Sequence, residues 1–438
     1  MPAGDITQGY IFVPAEKNID QVKMNAIVGN AYINPAFVSA QTASTSSTTG
    51  DYFLVLKSGG TLAKIVYDDL ANSLGSSTGM TSAITSVRLR SFNAIGNCNF
   101  EVDQRFCGTS VNGTVAYAGA LTDRWFASIS TGFSWNFQQT AGPVLIPGTN
   151  YAISSKFWRF SNPVAISSPA AASYLAFYQS VEAPMWRELS NDVHSISILL
   201  RSSVANLKIG LFVVDTPQSK TLSKLITLGA ANTWTLMTFP NLPVFPAGNF
   251  SLLPGNVGYL VGIHLVAGSN YTTSANDTWL SNTGGTGAIG LTNAYPINST
   301  VDFAFFQHEP GSCTQLTDLD FDTNLTRSQR YFQKSYDYGT KPGSIGGTGA
   351  FVGIINANFS PGYNFIPFKR TMAKAPTMAG YSNITGAINM ARDVTANVDR
   401  AVTGANNIGD AGFSGFNLSA VNAALWICNF HYTADTGW

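Results

Sequence analysis

The chain has 438 residues, of which only 11% are charged, with 24 Lys and Arg set against 24 Asp and Glu. Soluble domains usually carry about 25% charged residues, so solvation here falls to Ser, Thr, Asn, Gln and Gly, and a net charge of zero offers no basic field for nucleic acid. A 45% hydrophobic share with 12% aromatics excludes a disordered chain, and the length predicts roughly two to four domains.

The N-terminal stretch MPAGDITQGYIFVPAEKNID lacks a basic region followed by an apolar run and a cleavage site, so no secretory signal peptide is expected. No run reaches the roughly 18 apolar residues of a membrane-spanning helix, and no membrane insertion is predicted. Ala40–Gly50 is small, polar and low in complexity, the composition of an exposed loop. After it, Tyr52–Leu56 and Thr61–Tyr67 flank Ser58-Gly59-Gly60, which predicts a β-hairpin because the glycines can take the positive φ of a tight turn. A second polar stretch, Ala71–Met80, follows. Together these segments predict a small N-terminal module over residues 1–85.

Residues 86–325 carry short β-branched and aromatic runs separated by Gly, Pro, Asn and Ser. Examples are Ser195–Leu200, Leu207–Val214, Trp234–Phe239, Tyr259–Val266 and Val301–His308. Ser195-Ile-Ser-Ile alternates as a half-buried strand should, whereas Leu211–Val214 reads as buried on both faces. Long amphipathic helices are missing from the pattern. The fold class is therefore all-β, with a central β-sandwich of the jelly-roll kind. Trp125 and Trp186 lie in dense apolar runs and read as core or interface anchors. Tyr271, Trp279 and Tyr295 instead fall in a long polar segment, Gly268–Asn298, where no strand pattern forces burial. They are candidates for a glycan-stacking platform, or else for packing against a neighbouring domain or subunit.

Thr326–Asp337 is the most charged and helix-compatible run and reads as a joint. Residues 326–438 then form a C-terminal, β-sandwich-like domain, with strands expected at Phe351–Ile355, Tyr363–Arg370, Thr377–Tyr381, Gly412–Leu418 and Ala424–Thr433. A strand so close to the chain end, where order usually frays, is expected to be locked into a sheet or between subunits. The sparse charges concentrate at Asp318–Asp337 and Lys369–Lys374.

Cys98, Cys107, Cys313 and Cys428 have no CxxC or Cys/His spacing and read as thiols. Glycosidase chemistry needs two carboxylates about 5–10 Å apart. The candidates are Glu101/Asp103, Glu182/Glu188, Asp302/Glu309 and the cluster Asp318/Asp320/Asp322, none with a distinguishing environment. The cluster alternates along what reads as an extended segment but lacks the glycine and terminal glutamate of a calcium loop. His194, His264, His308 and His431 are far apart and lack ligand spacing. No catalytic residue, metal site or cofactor is assigned.

Three phrases carry a family resemblance. Asn97-Cys-Asn-Phe-Glu-Val-Asp-Gln-Arg, followed by Leu121-Thr-Asp-Arg-Trp-Phe, is similar to the opening of jelly-roll modules in bacteriophage tail and fibre proteins. Cys98 stands where that family has Gly, and Asp103 where it has an aromatic. Ser328-Gln-Arg-Tyr-Phe-Gln-Lys-Ser-Tyr resembles the joint between that jelly roll and a C-terminal β domain. Lys369-Arg-Thr-Met-Ala-Lys-Ala-Pro-Thr-Met and Asn429-Phe-His-Tyr-Thr-Ala-Asp look like the body and end of that domain. The resemblance covers roughly residues 91–438. It implies a carbohydrate-binding-module-like sandwich, a homotrimer in the virion, contact with other virion proteins through the N-terminal module, and non-covalent recognition of host surface glycan. A head fibre, capsid decoration or tail adaptor is the alternative. A polysaccharide depolymerase comes third, because the chain shows no fixed-period β-helix repeat.

Overall fold

A computed structural model describes residues 11–13, 52–56 and 62–66, and residues 92–438 apart from 191–192, 217, 247–249, 252, 282–284, 318, 356–364, 420–425 and 438. The chain divides into two compact units, Met1–Ser91 and Phe92–Trp438. In the first, Tyr52–Leu56 pairs antiparallel with Leu62–Val66 and with Ile11–Val13. Leu56 lies opposite Leu62, so the two predicted strands pair with each other. The described residues of the second unit are almost wholly β, with two short α-helices among them, Ala183–Leu189 and Phe321–Gln329.

Two antiparallel sheets make a sandwich. The six-stranded sheet runs in the order Thr235–Leu242, His194–Ser202, Thr300–Pro310, Ala152–Ser161, Trp135–Leu145 and Val111–Gly113. The seven-stranded sheet runs Trp279–Ser281, Lys220–Thr227, Lys208–Asp215, Val257–Ala267, Tyr174–Glu182, Trp125–Ile129 and Tyr117–Thr122. Inward side chains from both sheets meet in one core, as two-layer packing requires. The Phe177 ring lies 4.4 Å from Phe303, and Trp125 touches Phe177 at 5.3 Å and Phe306 at 5.5 Å. Trp125 is fully buried, an anchor as expected. Trp186 stacks on Phe250 at 5.0 Å at the edge of the same core.

One strand departs from its sequence pattern. The serines of Ser195-Ile-Ser-Ile alternate as if solvent-facing, yet Ser195 and Ser197 are buried. The segment after Pro310 folds back across this outer face, where Thr314 and Thr317 donate backbone N–H groups to Glu309 and Gln307, and Ser195 Oγ donates to Gly311 O. A strap thus covers the half of the outer face that carries Ser195, Gln307 and Glu309, and leaves open the other half, where Arg159 and Arg201 are partly exposed.

The C-terminal β region has its own smaller core, built from Phe368, Phe413, Phe416, Phe430 and Tyr432. Its central strand is the last one, Trp426–Asp435. One edge pairs with Phe332–Lys334 and Phe351–Ile355, the other with Thr377–Tyr381 and Met390–Asp393. Double-sided pairing explains why the chain end is ordered. Met390–Asp393 and Val398–Ala405 form a hairpin that the sequence hid, because charged residues interrupt its apolar pattern. Those charges pair across the strands, Arg392 with Asp399 at 3.4 Å and Arg400 with Asp393 at 3.1 Å.

The joint differs from its sequence reading. The helix lies earlier than expected, at Phe321–Gln329, where Asp320 caps it by accepting from Thr323 N at 2.9 Å. Asp320 and Asp322 therefore belong to a helix start, which favours acidic side chains, and not to an extended cation-binding segment; Asp318 lies outside the described residues. After the helix, Tyr331–Lys334 turns inward and welds the sandwich to the C-terminal β region. Arg330 grips Glu182 with two hydrogen bonds of 2.9 and 2.6 Å, and Tyr331 OH donates to the same carboxylate at 2.7 Å. Arg124 lies over the Tyr331 ring, 3.5 Å from its centroid. Lys334 Nζ donates to the carbonyls of Gln104, Tyr338 and Thr340, and Arg105 pairs with Asp435.

The loop that receives these groups, Asn97–Gly108, is held by its own side chains. Asn97, with φ of 50°, bonds Val102 N and O, and Asp103 accepts from Phe106 N and Gly108 N. The three phrases that set this chain apart in sequence are thus one buried polar junction in space.

Candidate binding groove

The outward face of the seven-stranded sheet carries a groove of about 280 Å³. Alternation along Tyr174–Glu182 points Leu175 and Phe177 into the core and leaves Tyr174, Ala176 and Tyr178 on the outer face. On the neighbouring strands Leu260, Gly262, His264, Phe212 and Val214 share that face by register. Small residues deepen the middle. Gly262 lies opposite both Tyr178 and Phe212, and a Cβ there would fall 2.3 Å from Phe177 O and 2.6 Å from Tyr178 Cβ. Any larger residue at that point would collide with the backbone of the adjacent strand.

The walls are aromatic and neutral. Tyr174 and Tyr271 face each other at 4.5 Å between centroids, and Tyr178 stands over Phe126 at 6.3 Å. Ser128, Gln218 and Thr286 supply polar edges. His264 closes one end, with Nε2 2.6 Å from Thr286 Oγ1 and Nδ1 3.4 Å from Val266 O. Burial pushes its imidazole down to about 4, so near pH 7 it is neutral and serves to hold the Thr286 hydroxyl at the groove's end. No Lys, Arg, Asp or Glu is among the lining residues.

The three aromatics singled out in sequence go to three different places. Tyr271 ends a short 3-10 turn, Ser269–Tyr271, and forms a groove wall. Trp279 packs against Phe245 at 5.3 Å, and its Nε1 donates to Pro243 O at 3.1 Å; it sits at the edge of the core and is not among the residues lining this groove. Tyr295 is 1% exposed, with its hydroxyl donating to Leu265 O at 2.7 Å. A ring buried to that degree has no face left for a sugar. Sequence reasoning missed Tyr174 and Tyr178, for which the one available signal is the alternation Tyr-x-Ala-x-Tyr on a single strand. The polar segment from Gly268 also borders a second, open depression of about 540 Å³, lined by small residues such as Ala171, Ala288 and Gly290.

Several of the carboxylates considered for glycosidase chemistry are occupied by local partners. Glu101 accepts from Ser155 N and Oγ, Glu182 binds Arg330 and Tyr331, and Glu309 holds Thr314. Among the described residues no three His, Cys, Asp or Glu side chains gather as a metal site. The four cysteines are free thiols. His194 and His308 do meet, with 2.9 Å between Nδ1 and Nε2, and His308 Nδ1 lies 2.7 Å from Tyr259 OH. His194 Nε2 is 3.0 Å from Pro243 O, a carbonyl that can only accept. One proton order satisfies the whole chain with both rings neutral: Tyr259 OH donates to His308, His308 to His194, and His194 to Pro243.

No protein-family model matches the sequence, and no curated protein matches it. Similar solved structures include a carbohydrate-binding module bound to β-1,4-galactotriose, at 12% identity and a TM-score of 0.27, covering 50% of this chain and 98% of that one. A family 11 carbohydrate-binding module from Clostridium thermocellum, bound to a mixed-linked tetrasaccharide, gives 11% identity and a TM-score of 0.24, with 46% of this chain and 100% of the other covered. The enzymatically active domain of tailspike protein 4 from bacteriophage CBA120 gives 8% identity and a TM-score of 0.24, covering 50% of this chain and 21% of that one. At these values none of the three assigns a function or a site to this chain.

Proposed function

We propose that the chain is a non-catalytic glycan-binding protein and that the groove on the seven-stranded sheet is its sugar site. The carrying observation is the lining: three tyrosines beside neutral hydrogen-bonding groups, with no charge. Sugar rings present apolar C–H faces and a hydroxyl rim, which aromatic walls and a few polar edges satisfy together. Tyr174, Tyr178 and Tyr271 take the faces in this reading, and Ser128, Gln218 and Thr286 the hydroxyls.

The biological setting in this proposal is a phage virion, with the chain as a tail fibre or receptor-binding protein and the first unit as its attachment to other virion proteins. The phrases around Asn97, Leu121 and Ser328 support that setting, as does a surface solvated by neutral groups, which salt does not screen. A homotrimer and a virion location belong to the same proposal.

Titration against neutral oligosaccharides checks the groove. Tyr178→Ala and Tyr271→Ala are expected to weaken binding about tenfold to a hundredfold each, the loss of a hot-spot aromatic, with the urea midpoint of Tyr271→Ala unchanged. Unaltered affinity in both variants would remove the groove from the reading. Adsorption of the purified protein to bacterial cells, abolished by stripping their surface glycan, tests the receptor role.

A further inference from the structure

The open half of the six-stranded sheet's outer face carries a different chemistry. Arg201, Asp302 and Arg159 lie side by side on three adjacent strands. Asp302 is buried at 1% exposure and accepts from Arg159 Nε at 2.7 Å, Arg159 Nη2 at 2.9 Å and Arg201 Nε at 2.7 Å. Below them lies Phe157, with the two guanidinium carbons 5.2 and 5.1 Å from its centroid. Arg201 also lies 4.6 Å from the half-buried Trp234 ring, which meets Phe157 edge-on at 5.6 Å.

One carboxylate balances one guanidinium, so this group keeps a net positive charge at the surface. The side chains of Arg159 and Arg201 remain 34% and 26% exposed. Asp302 and the rings fix both guanidiniums in place, which removes much of the ordering cost of binding. The terminal Nη1 atoms of both arginines, and Nη2 of Arg201, make no hydrogen bond among the described residues. Two forks with free N–H groups, held beside an aromatic ring, suit an oxyanion carried on a sugar ring, because Arg recognises planar and tetrahedral oxyanions through paired N–H groups.

We propose that Arg159 and Arg201, positioned by Asp302, form a second binding site that takes the acidic group of a charged glycan, with Trp234 alongside its ring. It is independent of the neutral groove, which lies on the other sheet and has no cation. Uronate carboxylates and sugar sulfates share this chemistry, so the two are tested as separate arms.

The experiment titrates the full chain by calorimetry with oligogalacturonate, with a sulfated galactan oligosaccharide and with a neutral galactan of equal length. At least one acidic arm is expected to bind about tenfold more tightly in Tyr178→Ala than the neutral oligomer does, and to weaken about threefold or more between 50 and 300 mM salt. Arg201→Gln should raise the half-saturation concentration of that arm about tenfold. Arg201→Lys keeps the charge and the partner carboxylate but loses the fork, and should give an intermediate loss while reporting that the fold is intact. Equal binding of acidic and neutral oligomers, or unchanged acidic binding in both Arg201 variants, would overturn the proposal.

Discussion

Replacing Glu182 with Ala should destabilise the Phe92–Trp438 unit by about 3 kcal/mol, the cost of stranding a charge partner inside a protein. Glu182 receives Arg330 twice, the Tyr331 hydroxyl at 2.7 Å and Gly255 N at 3.1 Å. Alanine would take this acceptor from the Tyr331 hydroxyl and from the half-buried Gly255 N–H, hydrogen bonds to a charged group worth about 1.5–3 kcal/mol each. Arg330, with 37% of its side chain exposed, would recover part of its loss from water, which holds the total near the lower end. Glu182→Gln keeps the shape and one acceptor and should cost about half as much. All eight tryptophans lie beyond Ser91, so tryptophan fluorescence in urea reads this unit alone. A midpoint for Glu182→Ala within about 0.5 kcal/mol of the parent would show that the junction contributes little to stability.

Acid should unfold this unit well before its carboxylates alone would dictate. Burial pushes His194 and His264 down to about 4, and holds His308 well below its ordinary 6.5, with the neighbouring His194 adding to the effect. A buried neutral histidine takes up its proton only on unfolding, so its contribution is complete above pH 6.5 and is lost as pH falls below that value toward the folded pKa. Each histidine then removes about 1.4 kcal/mol per pH unit.

Two buried carboxyls oppose them, Asp103, which burial raises above its ordinary value, and Asp123. Burial, with the Asp103 charge adding to it, raises the Asp123 carboxyl to about 7 against the pull of Arg105. It binds its proton more readily in the fold than in the unfolded chain, and so adds stability as pH falls from 7 toward 3.8. The net expectation is a fall of about 1–3 kcal/mol per pH unit between about pH 6 and 4.5. At the bottom of the window Glu182 adds to the loss. Burial would raise its carboxyl, but hydrogen bonds from Arg330, Tyr331 and Gly255 reverse this and keep it below its ordinary value.

Urea midpoints taken from pH 7.5 to 4.5 check the slope, and Asp123→Asn should steepen it by about one proton's worth. A flat profile down to pH 4.5 would contradict the neutral Tyr259, His308, His194 chain.

Much of the fold was legible in the sequence, and particular residues show why. Leu207–Val214, Tyr259–Val266 and Phe351–Ile355 announce strands through β-branched and aromatic runs, because strand formation depends on side-chain type and period, both local properties. The hairpin around Gly59 was legible for the same reason. Met390–Asp393 and Val398–Ala405 were not, since their charges are explained only by the partners they meet across the pair. Ser195 and Ser197 misled in the opposite sense, because a strap from beyond Pro310 buries a face that looks polar.

The sites divide along the same line. Composition by itself pointed to a folded chain solvated by neutral groups with a net charge of zero. Periodicity determined most strands of the sandwich. Which aromatics face solvent was decided only in three dimensions. Tyr271 lines the groove while Tyr295 lies in the core, although both come from one polar segment, because exposure depends on what packs over a side chain and not on its sequence neighbours. The zero net charge likewise conceals Arg159 and Arg201 on a single carboxylate, since a sum over the chain carries no positions. The phrases around Asn97, Leu121 and Ser328 stood out singly in sequence, and only the fold made one junction of them, because hydrogen-bond partners more than 200 residues apart along the chain leave no local pattern.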